Sequence, residues 1–367
     1  MRYSREDGCR AWLTYGLIRA DLLSDLLDEY GSAEAIYDKF VSSGSSFLKK
    51  YVRPYGIEKL TEQADKDMMH AMMLSMQKHE IHIIAQKDPG YPESLRNIQM
   101  PPALLFYRGN LDCLNGKCIA VVGSRKASPH GVEVTKKLCK ELSLAGVTIV
   151  SGLAMGIDTA AHEGCLAGGS PTVGVLGCGL DVDYPVENDR LKREIIDNGG
   201  VLLSEYPPGF NANRHVFYAR NRIISGLGRA LLMMESQIKS GSMLTVHHAL
   251  DQGREVYAYP GMPGTEWAEG AHQLLREGAN YFTQAQDILE DLGWEAEIHK
   301  PLETEQAKLK MTDEQRMVFS YLSQGEMSFD QLADSTKMSA SALTVALTML
   351  QMMGLIKAMP GKIYSRV

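Results

Sequence analysis

Between Cys118 and Gly261 the chain alternates short, nearly continuous apolar runs with longer amphipathic stretches. The runs read CIAVVG, VTIVSG, PTVGVLG, VLLSEY, RALLMMES and EVYAYPG. Between them, apolar positions recur at helical spacing near residues 130–145, 157–167, 187–198, 216–227 and 242–252. Strands that are apolar on both faces need a cover on both sides, and the intervening helices supply it. The pattern therefore predicts an α/β domain with an extended Rossmann-like, doubly wound parallel sheet. Ligands of such folds bind beyond the C-terminal ends of the strands.

The flanks have a different rhythm. Leu13, Leu17, Leu22, Leu23, Leu26 and Leu27, a break at Gly31-Ser32, and an amphipathic stretch from Ala33 to Val41 predict a small all-helical domain over residues 1–80. PPALLFYRGNLD, residues 101–112, reads as an extended strand and turn ahead of the central fold, which is expected to fill 81–284. Residues 308–367 predict two short helices, a third with Leu343, Leu347 and Leu350 in register, and two strands around Pro360-Gly361, the pattern of a winged helix. An acidic linker is expected over 285–307.

Composition narrows the class. A chain of 367 residues, 44% hydrophobic and 23% charged, fits a soluble protein of several domains. Its apolar runs are too short and too broken for a membrane span, and the charged start, MRYSREDGCRAW, lacks a signal-peptide core, so a cytoplasmic protein is expected. Cys9, Cys113, Cys118, Cys139, Cys165 and Cys178 form no C-x-x-C pair. They are expected to be reduced and mostly buried, with no metal site. A net charge of −7 argues against nucleic acid as a partner until its distribution is read. Residues 285–305 alone carry seven carboxylates against one lysine, whereas the last sixty residues are slightly basic.

Candidate chemistry gathers where the strands end. GSRKAS follows the first central strand, SGLAMGIDTAAH completes the second, CGLDVDYP follows the third, and QIKSGSMLT follows RALLMMES. Small residues with an Arg or Lys at helix N-termini suit an anion. A dinucleotide is disfavoured, because GSRKASPHG is not G-x-G-x-x-G and the second strand ends in Ser151-Gly152 rather than an acidic residue. The KSG at Lys239 lacks the glycine spacing of a P-loop, so no nucleotide cofactor is expected. Asp158 and His162, four apart on one helix face, could form an acid–base pair, but a satisfied structural hydrogen bond is the commoner use of that spacing. Ser204-Glu205 and Asp181 with Asp183 add carboxylates without an evident nucleophile, so no enzyme is expected. In FYARNRIISGLGRA, Arg220 and Arg222 flank Asn221, with Arg214 upstream; positive charges at a helix start oppose its dipole, and a bound polyanion explains them. With Arg125 and Lys239 they outline a groove for a sugar-phosphate backbone, with Tyr184, Tyr206 or Phe217 as candidate base-stacking rings.

Taken in order, VVGSRKAS, SGLAMGIDTAAH, GVLGCGLDVDYPVEN, LLSEYPPG, RNRIISGL, KSGSMLTVHHAL and GREVYAYPG closely resemble the DNA-processing protein A (DprA/Smf) family, from about Asp88 to Ala279. The resemblance implies an extended Rossmann fold that binds single-stranded DNA and helps load the RecA recombinase during natural transformation, without catalysis. It also implies a sterile-alpha-motif-like domain before that fold and a winged helix after it. Carried over by motif, Arg125, Arg222 and Lys239 would contact DNA alongside Arg220 and Asn221. Gly123, Ser124, Gly152, Gly156, Ser240 and Gly241 would supply close backbone approach and N–H donors. Relatives can carry a basic residue after the YP of the third loop, where this chain has Val186 and Glu187. A homodimer is expected through EGAHQLLREGANYF, with Leu274 and Leu275 either at the contact or in the core; RecA and a single-strand-binding protein are the expected protein partners. The rival reading is a phosphoribohydrolase of the lysine-decarboxylase-like Rossmann family, whose P-G-G-x-G-T-x-x-E site is replaced here by KSGSMLTVHHAL. The presumed recognition helix of the winged domain, MSASALTVALTMLQMM, has no Lys or Arg, which points to a protein contact or a structural role.

Overall fold

The structure is a computed structural model and describes residues 3–294, 311–322, 325–352, 355–359 and 361–366. Two compact units divide it, one ending at Glu297 and the other beginning at Ile298.

The first unit is built on nine strands: β1 (His82–Ala85), β2 (Leu104–Gly109), β3 (Lys117–Val122), β4 (Val147–Ser151), β5 (Thr172–Val175), β6 (Val201–Ser204), β7 (Ala230–Met233), β8 (Glu255–Ala258) and β9 (Asn280–Tyr281). Their order across the sheet is β1-β2-β6-β5-β4-β3-β7-β8-β9. From β6 to β9 all neighbours are parallel, and β2 and β1 extend the β6 edge antiparallel. The run expected ahead of the fold is thus an added strand of it. Chain order reverses between β3 and β7, a topological switch point that opens a crevice beyond their C-terminal ends.

Each apolar run feeds both faces of the sheet. In β3, Cys118, Ala120 and Val122 join one core, while Ile119 and Val121 join the other. The first core is closed by α6 (Glu93–Arg96), α10 (Arg214–Leu227), α11 (Gly241–Asp251) and α12 (Glu269–Arg276); the second by α7 (Pro129–Leu144), α8 (Ile157–Gly168) and α13 (Ala285–Asp291). A third amphipathic stretch, α9 (Asp189–Asp197), packs Leu191 and Ile195 beside β5 and β6. Burying each such side chain contributes roughly 1.5–3 kcal/mol, so the two-sided pattern dictates the layering.

Two expected boundaries are corrected. Residue 285 does not begin a linker: Ala285, Ile288 and Leu289 are buried in the second core, and the acidic residues of α13 lie on its outer side of the amphipathic stripe. The remainder of that linker, from 295, lies outside the described residues. The helices α1 (Arg5–Thr14), α2 (Ala20–Tyr30), α3 (Ala33–Ser43), α4 (Pro54–Gln63) and α5 (Lys66–Lys78) form the expected helical segment, but they share one buried cluster with Ile83, Leu104, Phe106 and Leu153 of the sheet domain. Packing therefore runs through residue 80 without a break.

The second unit contains helices Asp313–Leu322, Phe329–Thr336 and Ala340–Met352 and a three-stranded antiparallel sheet, the winged-helix arrangement. Leu343, Leu347 and Leu350 are buried in its core, as their register requires.

Candidate nucleic-acid interface

The crevice at the switch point is a cleft of about 490 Å³. Its walls are the turn after β3 (Gly123, Ser124, Arg125), the uncapped first turn of α11 (Ser240, Gly241, Ser242) and one side of α10 (Phe217, Arg220, Asn221). The helix N-terminus contributes partial positive charge and N–H groups to the cleft.

The turn after β3 is held from several directions. Ser124 N–H donates to the Glu235 carbonyl at 2.7 Å, and the Ser124 carbonyl accepts from Ile157 N–H at 3.2 Å. The Trp267 indole N–H donates to the Lys126 carbonyl at 2.9 Å. With its backbone tied down, the turn leaves the Arg125 side chain exposed, its guanidinium 5.0 Å from the Phe217 ring centroid. Arg125, Lys126 and Lys239 are all exposed and, among the described residues, none has an ion-pair partner. Tyr184, 38% exposed, lies 5.6 Å from Phe217, the ring that Arg125 faces; the third candidate ring, Tyr206, is stacked on Phe210 at 4.7 Å.

Arg222 and Arg220 are a correction to the expected cation set. Arg222 Nη1 and Nη2 donate to the Glu205 carboxylate at 2.5 and 2.7 Å, Nε donates to the Met100 carbonyl at 2.8 Å, and the residue is 6% exposed. Arg220 is 4% exposed and donates to the carbonyls of Gly152, at 2.9 Å, and Val175. Burial pulls the Arg220 guanidinium down to about 10, against the opposing pull of Asp158. Both arginines bind the protein to itself. Neither charge lies at a helix start: α10 begins at Arg214, with Asn213 accepting from His215 and Val216 N–H groups, so Arg220 and Arg222 sit in the helix interior and need no polyanion to offset the dipole. The side chain of Arg214 lies outside the described residues. Asn221 lines the cleft, yet its Nδ2 donates to the Gly241 carbonyl at 3.3 Å and ties α10 to α11.

The glycines divide in the same way. Gly156 has φ +83°, and a Cβ there would lie 2.4 Å from the Ser124 carbonyl oxygen. A Cβ on Gly152 would meet Arg220 and Asp158, and one on Gly123 would meet Ile157. Gly152 and Gly156 thus serve loop-on-loop packing, which corrects the expectation that they approach a ligand, whereas Gly123 packs against Ile157 and also lines the cleft. A Cβ on Gly241 would meet only the Tyr218 ring, at 4.0 Å, an ordinary contact.

Asp158 and His162 do not form an acid–base pair. The Asp158 carboxylate accepts from Gly152 N–H at 3.2 Å and Ala154 N–H at 3.3 Å, shaping the turn after β4. His162 is fully buried, with Nδ1 2.8 Å from Thr172 Oγ1, and burial, with Arg220 nearby, pushes its pKa down to about 3. All six cysteines are free, and all but Cys113 are buried. Among the described residues no cluster could hold a metal ion, and no helix is long and apolar enough to cross a membrane. Leu274 is 3% exposed and belongs to the first core, so it is withdrawn from the expected dimer contact; Leu275 is partly buried beside that core. Val186, 69% exposed, and Glu187 open a short 3₁₀ turn whose Asn188 Nδ2 donates to the Leu153 carbonyl at 2.9 Å. Sequence reasoning missed Glu235, whose carboxylate lies under the turn after β3; the only signal was a glycine, Gly131, in the first turn of α7.

The family whose description is DNA recombination-mediator protein A matches residues 82–293, and a DprA winged helix domain matches residues 302–362. The DNA processing protein DprA of Streptococcus pneumoniae is 46% identical over 202 residues, which is 55% of this chain and 71% of that protein. The Smf protein of Synechocystis is 38% identical over 241 residues, 65% of this chain and 60% of the relative. The X-ray structure of the pneumococcal protein superposes with a TM-score of 0.65 at 35% identity, covering 79% of this chain and 98% of that one. A Helicobacter pylori DNA processing protein A structure, described as giving insight into a single-stranded DNA binding mode, has a TM-score of 0.54 at 28% identity, covering 59% and 97%. With its sheet order, its switch-point cleft and a family match across more than half of its length, the chain belongs to the DNA recombination-mediator protein A family.

Proposed function

We propose that this chain is a non-catalytic recombination mediator that binds single-stranded DNA in the switch-point cleft. The observation that carries this reading is the set of exposed, unpaired cations, Arg125 beside Phe217 and Lys239 beside the α11 N-terminus, around a cleft at the sheet's ligand edge. Phosphate recognition needs free cations and N–H donors, and unpaired bases need a ring to stack on; all three are present within one concavity. Family membership and the single-stranded DNA binding described for the Helicobacter protein support the same reading.

The finer roles extend it. The protein would shelter single strands in the cytoplasm, hand them to RecA, meet single-strand-binding protein on the same substrate, and act as a homodimer with Leu275 at the contact. Anisotropy titrations of the full chain with a single-stranded oligonucleotide and with the matching duplex, repeated at several salt concentrations, test the central claim. Tighter binding to the single strand, weakening with salt, is expected. Equal or better binding to the duplex overturns it.

A further inference from the structure

At the end of β7 the chain places Glu235 and Ser236 between the two loops that form the cleft. Glu235 is 6% exposed. Its carboxylate accepts from Ser128 N–H at 2.8 Å and from Ser128 Oγ–H at 2.6 Å, and Ser128 Oγ in turn accepts from Gly131 N–H at 2.9 Å. Its own carbonyl accepts from Ser124 N–H at 2.7 Å. One residue thus grips the turn after β3 at both ends, Ser124 and Ser128, with Arg125 between them. The fit is specific: a Cβ on Gly131 would lie 2.2 Å from the Glu235 carboxyl carbon. A glycine in a helix's first turn costs stability relative to alanine, and here it makes room for that carboxylate. The negative charge also sits at the N-terminus of the 16-residue α7, where it is favoured.

We propose that Glu235 is the positioning residue for the phosphate contact made by Arg125: it fixes the span from Ser124 to Ser128 from beneath and touches no ligand itself. The inference rests on the single-stranded DNA reading above. A buried carboxylate near a phosphate site repels DNA by its charge alone, so removing that charge by itself strengthens binding. The positioning role runs the other way. With the turn no longer fixed, the strand binds without the Arg125 contact, so one phosphate goes unneutralised and the affinity falls toward that of a protein lacking Arg125.

The test compares wild type, Glu235→Gln, Arg125→Ala and the double variant as full chains, titrated with oligothymidylate across a salt series. The amide keeps the size of the side chain but sets an N–H₂ donor or a weaker acceptor against the Ser128 donors. Glu235→Gln is expected to lower affinity about tenfold, the worth of a hydrogen bond to a charged group. It is also expected to flatten the log–log salt slope by about 0.7, as loss of one phosphate contact does. A merely structural role reduces the folded fraction and leaves that slope in place. The double variant should bind no more weakly than Arg125→Ala. Unchanged or tighter binding by Glu235→Gln, or additive losses in the double variant, overturns the proposal. If Glu235→Gln does not fold, Ser128→Ala removes one of the two carboxylate contacts and should produce a smaller fall with the same flattening; unchanged binding again overturns it. Arg125→Ala without effect removes the single-strand reading and this inference together, whereas a weakened Arg125→Ala beside an unaffected Glu235→Gln removes the positioning role alone.

Discussion

Arg222 and Glu205 meet through two parallel hydrogen bonds of 2.5 and 2.7 Å, with their side chains only 7% and 16% exposed. Breaking such a pair leaves a buried charge uncompensated and costs about 3–5 kcal/mol. Arg222→Ala should therefore lower the melting temperature sharply, and any loss of DNA binding should track the unfolded fraction. Calorimetry of Arg222→Ala beside Arg125→Ala checks this; Arg125→Ala, exposed and unpaired, should stay within about 0.5 kcal/mol of wild type.

Arg125→Ala and Lys239→Ala should each weaken binding to every single-stranded sequence alike. A phosphate contact carries no base information, and each one lost should reduce the salt slope by about 0.7. Titrations with several homopolymers across a salt series measure both quantities. Normal affinity and slope in a folded Lys239→Ala would confine the phosphate contact to the Arg125 side of the cleft.

His162 sets a pH dependence of stability. Its folded pKa is about 3, below the ordinary 6.5, because burial and Arg220 disfavour the imidazolium. The unfolded chain therefore takes up a proton below pH 6.5 that the folded chain refuses. This contribution is complete above pH 6.5 and is lost as pH falls toward 3, by about 1.4 kcal/mol per unit. His162→Asn, which can keep an acceptor or donor near Thr172 Oγ1, should show a shallower loss of stability between pH 6.5 and 5 in urea titrations. An identical slope in both proteins would mean that the ring is protonated when folded.

Gly156→Ala should disturb the cleft without removing any charge. At φ +83° and ψ −122° the backbone is accessible only to glycine at low cost, and the added methyl would press on the Ser124 carbonyl. A destabilisation on the order of 1–3 kcal/mol is expected, with weaker single-strand binding in the folded remainder.

The two adjacent leucines separate core from contact. Leu274→Glu buries a charge in the first core and should not fold, whereas Leu275→Glu, at a partly buried position, should give a folded monomer by light scattering. A folded Leu275→Glu dimer would place self-association elsewhere.

The strand and helix plan was legible because burial on both faces leaves a continuous apolar run, and every run between Cys118 and Gly261 became a parallel strand. Gly123, Ser124, Arg125, Ser240 and Gly241 were also drawn together by topology alone, since loops after neighbouring strands at the switch point must meet. What the sequence concealed was the difference between a free cation and a spent one. Arg125 and Arg222 look alike in a string of letters; only the fold brings Glu205, just beyond the end of β6, against α10 and leaves Arg125 without an ion-pair partner. The linker was misplaced at 285 for a related reason. Charge on the outer face of α13 masked Ala285, Ile288 and Leu289, whose spacing marks an amphipathic helix.

The sparse set of unpaired cations has a consequence for how long a strand must be before it is held. Few phosphates can be neutralised in any one cleft, so an isolated short fragment gains little from counterion release and leaves quickly. In the proposed homodimer a long strand would run through two linked clefts, rebinding at one while it lets go at the other, and its residence time would grow far faster than the number of contacts. Such a surface discriminates by length rather than by sequence, keeping polymers and letting fragments go.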